Sequence, residues 1–476
     1  MHSALLHFFD YFNTIILLYF VATNGVYMVL MGICLYSVSQ YSRYSKRSTN
    51  VSDVVESPVT PPVALIVPAY NEEKGIVATV SSLLALNYPE KEIIVVDDGS
   101  SDHTVQNLID QFGLLKMDLI YRPQLPSKEP YAFYFNPQYP ELTVVSKVNG
   151  GKSDALNCGI NIARSPYFCT VDADTIIERD ALVRLMAPVL NSTVNVVVSG
   201  GVVRIANGCK LRDGQLQEID LPPSWLERCQ IVEYIRTFMF GRPGWNSMEA
   251  TFIASGAFCL LHRESVMLAG GFSTDTVTED IDIIATLHEF LRKKKWKYRM
   301  VFTTDPICWT EAPGKVAMLG RQRRRWQLGL IQTVMKHDKL IFNPKYGYLG
   351  LVSMPFHAYI EAIGCVVEAI GYLLVPFSFL VGAMPFSLFL LILALAVGYG
   401  TLFSLGSVLL EETTLRRYPK ANHLFILMVY AVLENFGYRQ MITFFRAQGV
   451  LQYFTGLRKW ETVVHEGIAY PAPAER

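Results

Sequence analysis

The chain has long uncharged, hydrophobic runs near both ends, and this feature constrains its fold more than any other. The runs Asn13–Ser37 and Ala369–Leu410 contain no Asp, Glu, Lys or Arg. About 20 apolar residues in a helix cross the ~30 Å hydrocarbon core of a bilayer. Within lipid the backbone polar groups must be satisfied inside the segment, which a helix achieves. We therefore predict membrane helices at both ends, around a polar middle.

The polar middle carries most of the charge. Charged residues make up 18% of the sequence, against about a quarter in an average soluble domain. The 42 basic residues balance the 42 acidic ones, so the net charge indicates no nucleic-acid partner. The eight cysteines include no C-x-x-C pair, which argues against a disulfide framework or zinc site and favours a reducing compartment.

The basic segment after the first run sets the predicted orientation. Ser42–Arg47 follows that run, and the positive-inside rule then places the following chain in the cytoplasm, with the N-terminus outside the plasma membrane. Two further spans are predicted at about residues 350–375 and 384–410. A span at 423–446 would place the basic tail outside. That segment therefore lies in the interface or re-enters, or the preceding region crosses three times, and we favour a cytoplasmic tail.

Two carboxylates, Glu361 and Glu368, interrupt the first of these C-terminal spans on one helix face. Intramembrane carboxylates usually face a bundle interior or a polar cavity, which would suit a polar conduit. A snorkelling or helix-paired glutamate is the simpler explanation, and the sequence leaves both open.

From Val63 the pattern changes to that of an α/β domain. Val63–Val67 is a short apolar run bounded by proline, as in the buried strands of a parallel sheet. Lys91–Val96 repeats the pattern after a helical segment, and Leu119–Arg122 is predicted as a weaker strand. The Pro-rich stretch 123–146 is interpreted as an insertion loop without an assigned role. Ligands of open sheets bind at the carboxyl ends of strands, where the polar motifs lie.

Asp172 and Asp174 follow an apolar strand that begins near Pro166. Their spacing puts both carboxylates on one side of the strand end. Two hard oxygen ligands with open positions beside them suit Mg²⁺ or Mn²⁺ that is completed by substrate phosphates. An Asp-rich turn explains the same residues, so the pair indicates a metal site only together with the other motifs.

A glycine-rich turn leads into a predicted helix at Lys152. Gly150 and Gly151 allow close backbone approach, and Lys152 at the helix start is placed to meet a phosphate. An ordinary turn with a solvated lysine is the simpler alternative.

The sequence Thr278-Glu-Asp280 opens another predicted helix. Thr278 suits an N-cap, and Glu279 and Asp280 complement the helix dipole. The functional interpretation makes Asp280 a general base that accepts a proton from an incoming hydroxyl. Both explanations stand on the sequence alone.

A cluster of four arginines and a tryptophan lies within Gly320–Gly329. On a helix Gln322, Arg325 and Trp326 share one face. Arginine suits bidentate phosphate contacts, and an indole can form a platform for a sugar ring. The alternative is a basic helix at the membrane surface, a role that would use the remaining arginines, Arg321, Arg323 and Arg324.

Six motifs occur in a fixed order along the chain. They are Val67-Pro-Ala-Tyr-Asn-Glu72, Val96-Asp-Asp-Gly-Ser100, Lys152 with Ala155-Leu-Asn157, Asp172-Ala-Asp174, Thr278-Glu-Asp280 and Gln322-Arg-Arg-Arg-Trp326. Together they resemble the signature of family 2 glycosyltransferases, most closely the membrane-embedded processive synthases of cellulose, hyaluronan, chitin and poly-N-acetylglucosamine. The resemblance covers about residues 63–330, and no clear F-x-V-T-x-K gating loop of the cellulose synthases is present.

The resemblance implies an α/β GT-A (Rossmann-like) cytosolic domain inserted between transmembrane helices. It implies Asp280 as the catalytic base, with Glu279 beside it, and Asp172 with Asp174 as ligands of Mg²⁺ or Mn²⁺. The nucleotide-sugar would contact Tyr70, Glu72, Asp97, Asp98, Lys152, Asp172, Gln322 and Arg325. The acceptor would contact Trp326, Ser255, Gly256 and Ala257.

The implied function is inverting transfer of a sugar from a UDP-sugar to a growing β-linked polysaccharide, coupled to export. The nearest alternative is transfer of one sugar to a lipid acceptor, and another class is a transporter or scaffold with a vestigial α/β domain. Besides donor, acceptor and bilayer, a homo-oligomer or an accessory subunit stays open. The expected organisation is a transmembrane segment (1–40), a linker (41–62), a GT-A domain (63–335), interfacial and transmembrane helices (336–446) and a tail (447–476).

Overall fold

The computed structural model describes residues 2–48, 54–55, 57, 59–121, 123–212 and 215–456. The chain divides into two compact units. Within the described residues, the sheet unit comprises Tyr41–Pro222 and Met248–Ala312, and the helical unit comprises residues 2–40, Pro223–Ser247 and residues 313–456.

The strands all lie in the sheet unit. They are β1 (Val63–Ala69), β2 (Lys91–Asp97), β3 (Leu115–Met117), β4 (Pro130–Phe135), β5 (Leu142–Lys147), β6 (Tyr167–Val171), β7 (Ile176–Ile177), β8 (Asn195–Ile205), β9 (Lys210–Arg212), β10 (Gln215–Glu218), β11 (Phe258–His262) and β12 (Tyr298–Thr310).

The α-helices are distributed over both units. They are α1 (His2–Ser48), α2 (Ile76–Leu84), α3 (Thr104–Phe112), α4 (Lys152–Ile162), α5 (Ala181–Leu190), α6 (Trp225–Arg236), α7 (Arg242–Ser247), α8 (Arg263–Leu268), α9 (Glu279–Lys293), α10 (Val316–Lys336), α11 (Gly364–Leu380), α12 (Phe386–Thr414), α13 (Ala421–Leu433) and α14 (Tyr438–Phe454). The helical unit also contains π-helical segments at Thr237–Gly241, Leu349–Ser353 and Phe356–Ile363.

One mixed sheet organises the sheet unit. Among the described residues its strand order is β3-β4-β5-β2-β1-β6-β11-β8-β12-β7, and β9 pairs with β10 separately. Strands β5, β2, β1 and β6 run parallel, whereas β11 runs antiparallel to β6 and β8. The parallel strands β1 and β2 are apolar and buried, because both faces of a parallel sheet are covered. The predicted strands at Val63–Val67 and Lys91–Val96 are thus confirmed.

The stretch 123–146 is not the predicted insertion loop. It contributes β4 and most of β5, and β5 pairs in parallel with β2 inside the sheet. The prolines had suggested a loop, yet Pro130 opens β4, a position that proline tolerates. The predicted strand Leu119–Arg122 is also wrong: residues 119–121 have no regular structure, Arg122 lies outside the described residues, and the edge strand is Leu115–Met117.

The helical unit contains the candidate membrane spans, which pack against one another through apolar side chains. Three helices of its described part are long and apolar enough to cross a membrane, namely His7–Ser37, Leu349–Leu380 and Phe386–Thr414. They match the three predicted spans. The segment that was predicted to lie in the interface or to re-enter consists of the short apolar α13 followed by α14. Ile16 and Phe20 of α1 pack with Val375 of α11 and Ile392 of α12.

Helix α4 approaches β1 closely at a glycine, and this contact positions the start of α4 beside the strand ends. A methyl group on Gly159 would overlap Ile66 Cγ2. Both residues belong to or adjoin the buried core of the sheet unit.

We predict that Gly159→Ala destabilises the protein. Overpacking costs about 1–3 kcal/mol, which exceeds the gain of about 1 kcal/mol from better helix propensity. Thermal unfolding of the detergent-purified chain measures the effect. In an Ile66→Ala background the methyl has space, so the same substitution should be neutral or stabilising. Equal destabilisation in both backgrounds would contradict the contact.

Candidate functional site

The carboxyl ends of the parallel strands and the start of β11 lie along one edge of the sheet. Ala69 at the end of β1 pairs with Asp97 at the end of β2, and Asp97 pairs with Ser146 near the end of β5. Phe258 at the start of β11 pairs with Val171 at the end of β6. The loops that carry the polar motifs therefore emerge from this edge.

Lys152 joins two of the predicted acidic motifs. Its Nζ lies 2.6 Å from Asp172 Oδ1 and 2.9 Å from Glu279 Oε1. Burial disfavours the ammonium, but the Asp172 and Glu279 carboxylates outweigh burial and raise the Lys152 pKa. The side chain is 28% exposed. Lys152 therefore stays protonated and holds the loop after β6 against the first residue of α9.

Two backbone N–H groups orient the Asp280 carboxylate at the start of α9. Gly256 N donates to its Oδ2 at 3.0 Å, and Ile281 N donates to its Oδ1 at 3.0 Å. Burial and then the Glu279 carboxylate raise the Asp280 pKa to about 6, while Lys152 lowers it. Each oxygen retains a lone pair. A carboxylate with a pKa near the operating pH is suited to accept a proton.

Asp172 and Asp174 lie close to another carboxylate, Glu72. Burial, then Asp174 and then Asp172 raise the Glu72 pKa to about 8. Asp174 Oδ2 accepts from Thr310 Oγ1 at 3.4 Å. Acids gathered in this way repel one another, so a cation would stabilise them. In the described part of the chain no group of three or more His, Cys, Asp or Glu is arranged to hold a metal.

Asp98 lies within a buried charge network. Lys147, which is 0% exposed, forms an ion pair with Asp98 Oδ1 and lies 2.6 Å from Asp154 Oδ1. The backbone N–H groups of Gly150 and Gly151 donate to Asp98 Oδ1 and Oδ2 at 2.9 and 2.7 Å. Asp98 therefore holds the turn that starts α4, and its contact with a nucleotide stays a prediction.

Sequence reasoning missed Lys147 and Asp154. A lysine at the end of the otherwise uncharged run Leu142–Lys147 was the available signal, since a buried lysine needs acidic partners. Asp154 also accepts from Lys128 N through both oxygens at 3.0 Å, which ties the chain before β4 to the turn.

The predicted nucleotide-binding residues Tyr70 and Asp97 lie at the neighbouring carboxyl ends of β1 and β2. Asp97 is buried, its Oδ1 accepts from Ser100 N at 3.1 Å, and burial raises its pKa. Tyr70 is largely exposed. The next residue, Asn71, has a left-handed φ of 58° and accepts from Ser101 N at 2.8 Å. This hydrogen bond joins the loop after β1 to the loop after β2, and the Tyr70 side chain is exposed to solvent.

The predicted acceptor loop precedes β11. Gly256 lies directly against Asp280, because a Cβ on it would meet Asp280 Oδ2 at 3.2 Å. Ser255 and Gly256 line a small cavity with Glu279 and Asp280, and Ala257 is buried. The structure therefore brings the predicted acceptor loop to the predicted base.

Gln322, Arg325 and Trp326 lie in the helical unit, on α10. Gln322 is buried, and its Oε1 has no hydrogen-bond partner among the described residues. Trp326 is 37% exposed. The suggestion that Arg323 serves the membrane surface is wrong, because this side chain is buried and lies 2.9 Å from Glu233 Oε2.

Two stretches of the chain match glycosyltransferase families. Residues 64–123 match Glycosyl transferase family 2, and residues 167–403 match Glycosyl transferase family group 2. The matches include the ends of β1, β2 and β6, the start of α9, and all of α10.

Two curated relatives share a name. A poly-beta-1,6-N-acetyl-D-glucosamine synthase of Staphylococcus epidermidis is 29% identical over 267 residues, which are 56% of this chain and 54% of the relative. One of Staphylococcus aureus is 30% identical over 322 residues, which are 67% of this chain and 65% of the relative. The match thus spans between about half and two thirds of these relatives.

A solved structure is similar over more of the chain. It is a mannosyltransferase of Pyrobaculum calidifontis in complex with GDP-Man and Mn²⁺, with 18% identity and a TM-score of 0.48. The likeness covers 88% of this chain and 99% of that one.

The family matches fall on the same strand ends, helix starts and α10 motif from which the resemblance was predicted, and the mixed α/β sheet is the predicted fold class. The chain therefore belongs to glycosyltransferase family 2.

Proposed function

We propose that this protein is an inverting membrane glycosyltransferase that extends a β-linked polysaccharide from a UDP-sugar. The names of the relatives support N-acetylglucosamine as the transferred sugar and a β-1,6-linked polymer as the product. The observation that carries the proposal is the position of Asp280, which Gly256 of the predicted acceptor loop and Ile281 hold from the backbone.

The proposed reaction is a single displacement. An acceptor hydroxyl oxygen attacks the anomeric carbon, and the bond from that carbon to the diphosphate oxygen breaks. The electron pair of the broken bond leaves with the diphosphate, and the hydroxyl proton passes to Asp280. Lys152 keeps Glu279 beside this carboxylate, so the position of the base is fixed before substrate arrives.

Charge on the leaving diphosphate is the main electrostatic demand of this reaction. Arg325 of α10 is proposed to contact the diphosphate, since guanidinium groups bind phosphate in a bidentate manner. Asp172 and Asp174 would hold Mg²⁺ or Mn²⁺, and the clustered acids fit such an ion because it would offset their repulsion. When bound, a divalent ion supplies Lewis-acid stabilisation of phosphate charge.

We propose that synthesis is coupled to export across the plasma membrane, with the sheet unit in the cytoplasm, because the relatives are named as polymer synthases and the helical unit contains candidate membrane spans. Tyr27 OH donates to Glu361 Oε1 at 2.5 Å, and Arg446 Nη2 lies 2.7 Å from Glu361 Oε2. Tyr19 OH donates to Glu368 Oε1 at 3.3 Å. Both predicted intramembrane carboxylates thus have polar partners from other helices, which is the helix-paired arrangement that the sequence offered beside a polar conduit.

We expect the detergent-purified chain to convert UDP-N-acetylglucosamine into a ladder of products. Repeated addition gives many sizes, whereas transfer of one sugar to a lipid gives a single product. Labelled donor, size separation and glycosidase digestion measure this, with GDP-sugars and other UDP-sugars in parallel. A single labelled lipid would contradict processive synthesis, and absence of transfer from every donor would contradict the proposed function.

We predict that Asp280→Asn lowers kcat by about 10²- to 10⁴-fold, because the amide cannot accept the hydroxyl proton. UDP affinity, measured by titration calorimetry, should stay within about twofold, and Asp110→Asn on the exposed surface of α3 serves as the matched control. Loss of UDP affinity together with activity would contradict the base assignment.

The pH profile tests the same residue. Since Asp280 must be deprotonated, activity should fall as the pH drops through about 6, the pKa of its carboxyl. Glu279 raises that pKa, so Glu279→Gln should move the acidic limb to lower pH. A limb that moves to higher pH, or does not move, would argue against Asp280 as the titrating group.

We predict that removing divalent metal with EDTA stops turnover and that added Mg²⁺ or Mn²⁺ restores it. Asp174→Asn should raise the metal concentration for half-maximal activity by about tenfold or more, because an amide is a weaker ligand for a hard cation. Asp110→Asn is again the control. Full activity in EDTA would refute the metal role.

A further inference from the structure

The buried Arg323 side chain lies against the tryptophan that is proposed to hold the acceptor sugar. Its guanidinium carbon is 4.3 Å from the centroid of the Trp326 ring. Arg323 is only 3% exposed, whereas Trp326 remains well exposed. The two residues are three positions apart on α10, so their side chains are neighbours on the helix surface. One part of the indole is therefore covered by a cation while another part is accessible.

Two other helices fix the guanidinium. Glu233 of α6 accepts from Arg323 Nη2 at 2.9 Å through Oε2. Tyr438 at the start of α14 donates its hydroxyl to the same oxygen. Beneath this contact Leu226, Leu319 and Ile442 form part of a buried apolar cluster of the helical unit. Glu233 thus holds the arginine, and Tyr438 holds Glu233, before any ligand binds.

We propose that Arg323 is a positioning residue that orients the Trp326 indole as the platform for the acceptor sugar. This inference rests on the proposed acceptor role of Trp326 and adds the side chain that sets its geometry. A tryptophan side chain has several staggered rotamers, and ordering it on binding opposes association. A desolvated cation over the ring favours one arrangement more strongly than an exposed one does. The acceptor then meets an indole that is already oriented.

The neighbouring arginine provides a matched comparison. Arg324 lies on the same helix, and its Nη1 donates to Gln448 Oε1 of α14 at 3.3 Å. The structure shows guanidinium stacking on Trp326 for Arg323. Arg324→Met therefore removes one arginine charge from α10 and leaves the contact between Arg323 and the Trp326 ring in place.

The test uses the full chain in detergent, with UDP-N-acetylglucosamine and a short β-1,6-linked N-acetylglucosamine oligosaccharide as acceptor. Arg323→Met should raise the apparent KM for the oligosaccharide by about tenfold and shorten the polymer, because the ring loses its orienting cation. The KM for the donor should change by less than about twofold. Arg324→Met should leave both values near those of the parent chain.

A conservative variant guards against a folding defect. Arg323→Lys keeps a charge for Glu233 but lacks the planar group that stacks on an indole. We expect an increase in acceptor KM of about threefold, between the parent and Arg323→Met, with thermal unfolding close to that of the parent chain.

A double-mutant cycle separates positioning from general damage. Trp326→Ala alone should raise the acceptor KM, and adding Arg323→Met should raise it no further, because the arginine acts through the ring. Independent, multiplying effects would overturn the proposal, as would an equal rise in the donor KM of Arg323→Met. If Trp326→Ala leaves acceptor KM and product length unchanged, the proposed acceptor role itself fails. If only Arg323→Met is without effect, the positioning role alone fails.

Discussion

The Lys152 ammonium is the contact on which the arrangement of the candidate site depends. It lies between Asp172 at the end of β6 and Glu279 at the start of α9, two elements separated by more than a hundred residues of sequence. An exposed ion pair contributes little to stability, but here one cation separates acids that would repel each other. Without it, the loop after β6 and the start of α9 would be driven apart, and Asp280 with them.

A second lysine, Lys147, stabilises the turn that precedes Lys152. Buried Lys147 neutralises charge on Asp98 and Asp154, and Asp98 in turn receives the N–H groups of Gly150 and Gly151. A buried lysine would be costly without such partners, so this network fixes the turn in one conformation. Gly151 has a φ of 89°, which L side chains rarely adopt. The turn therefore directs Lys152, the first residue of α4, towards the two acids that it joins.

Much of the fold could be predicted from the sequence. Prediction succeeded where the hydrophobic pattern of consecutive residues directly reflects their burial. The apolar runs at β1 and β2 and the three candidate membrane spans were predictable, because burial and bilayer thickness act on consecutive residues. The order of motifs also implied that Lys152, Asp172 and Asp280 belong to one site, and Lys152 does contact Asp172, but the roles of these residues stay predictions. The sequence did not predict the strands within 123–146, since prolines at strand ends resemble prolines of loops.

The contacts that sequence reasoning missed share a cause. Lys147 with Asp154, and Arg323 with Glu233, are pairs whose members lie on different elements or opposite sides of a turn. No local periodicity marks such pairs, and a basic residue within a cationic run resembles a surface residue. For Arg323 the run of arginines around it favoured a membrane-surface role, although its own side chain is buried. Only tertiary contacts distinguish it from Arg324.

Successive residues of α10 connect the proposed acceptor platform to a candidate membrane span. Gln327, which follows Trp326, donates to the carbonyl oxygens of Glu361 and Ala362 at 2.9 and 2.7 Å. Arg446 Nε donates to Gln327 Oε1 at 2.8 Å. The segment Phe356–Ile363 is π-helical, a geometry that often occurs at functional sites. Gln327 bonds to the backbone of this segment, so α10 and the candidate span Leu349–Leu380 are in direct hydrogen-bonded contact. The residue next to the proposed acceptor platform is therefore tied by hydrogen bonds to a candidate membrane span within the helical unit.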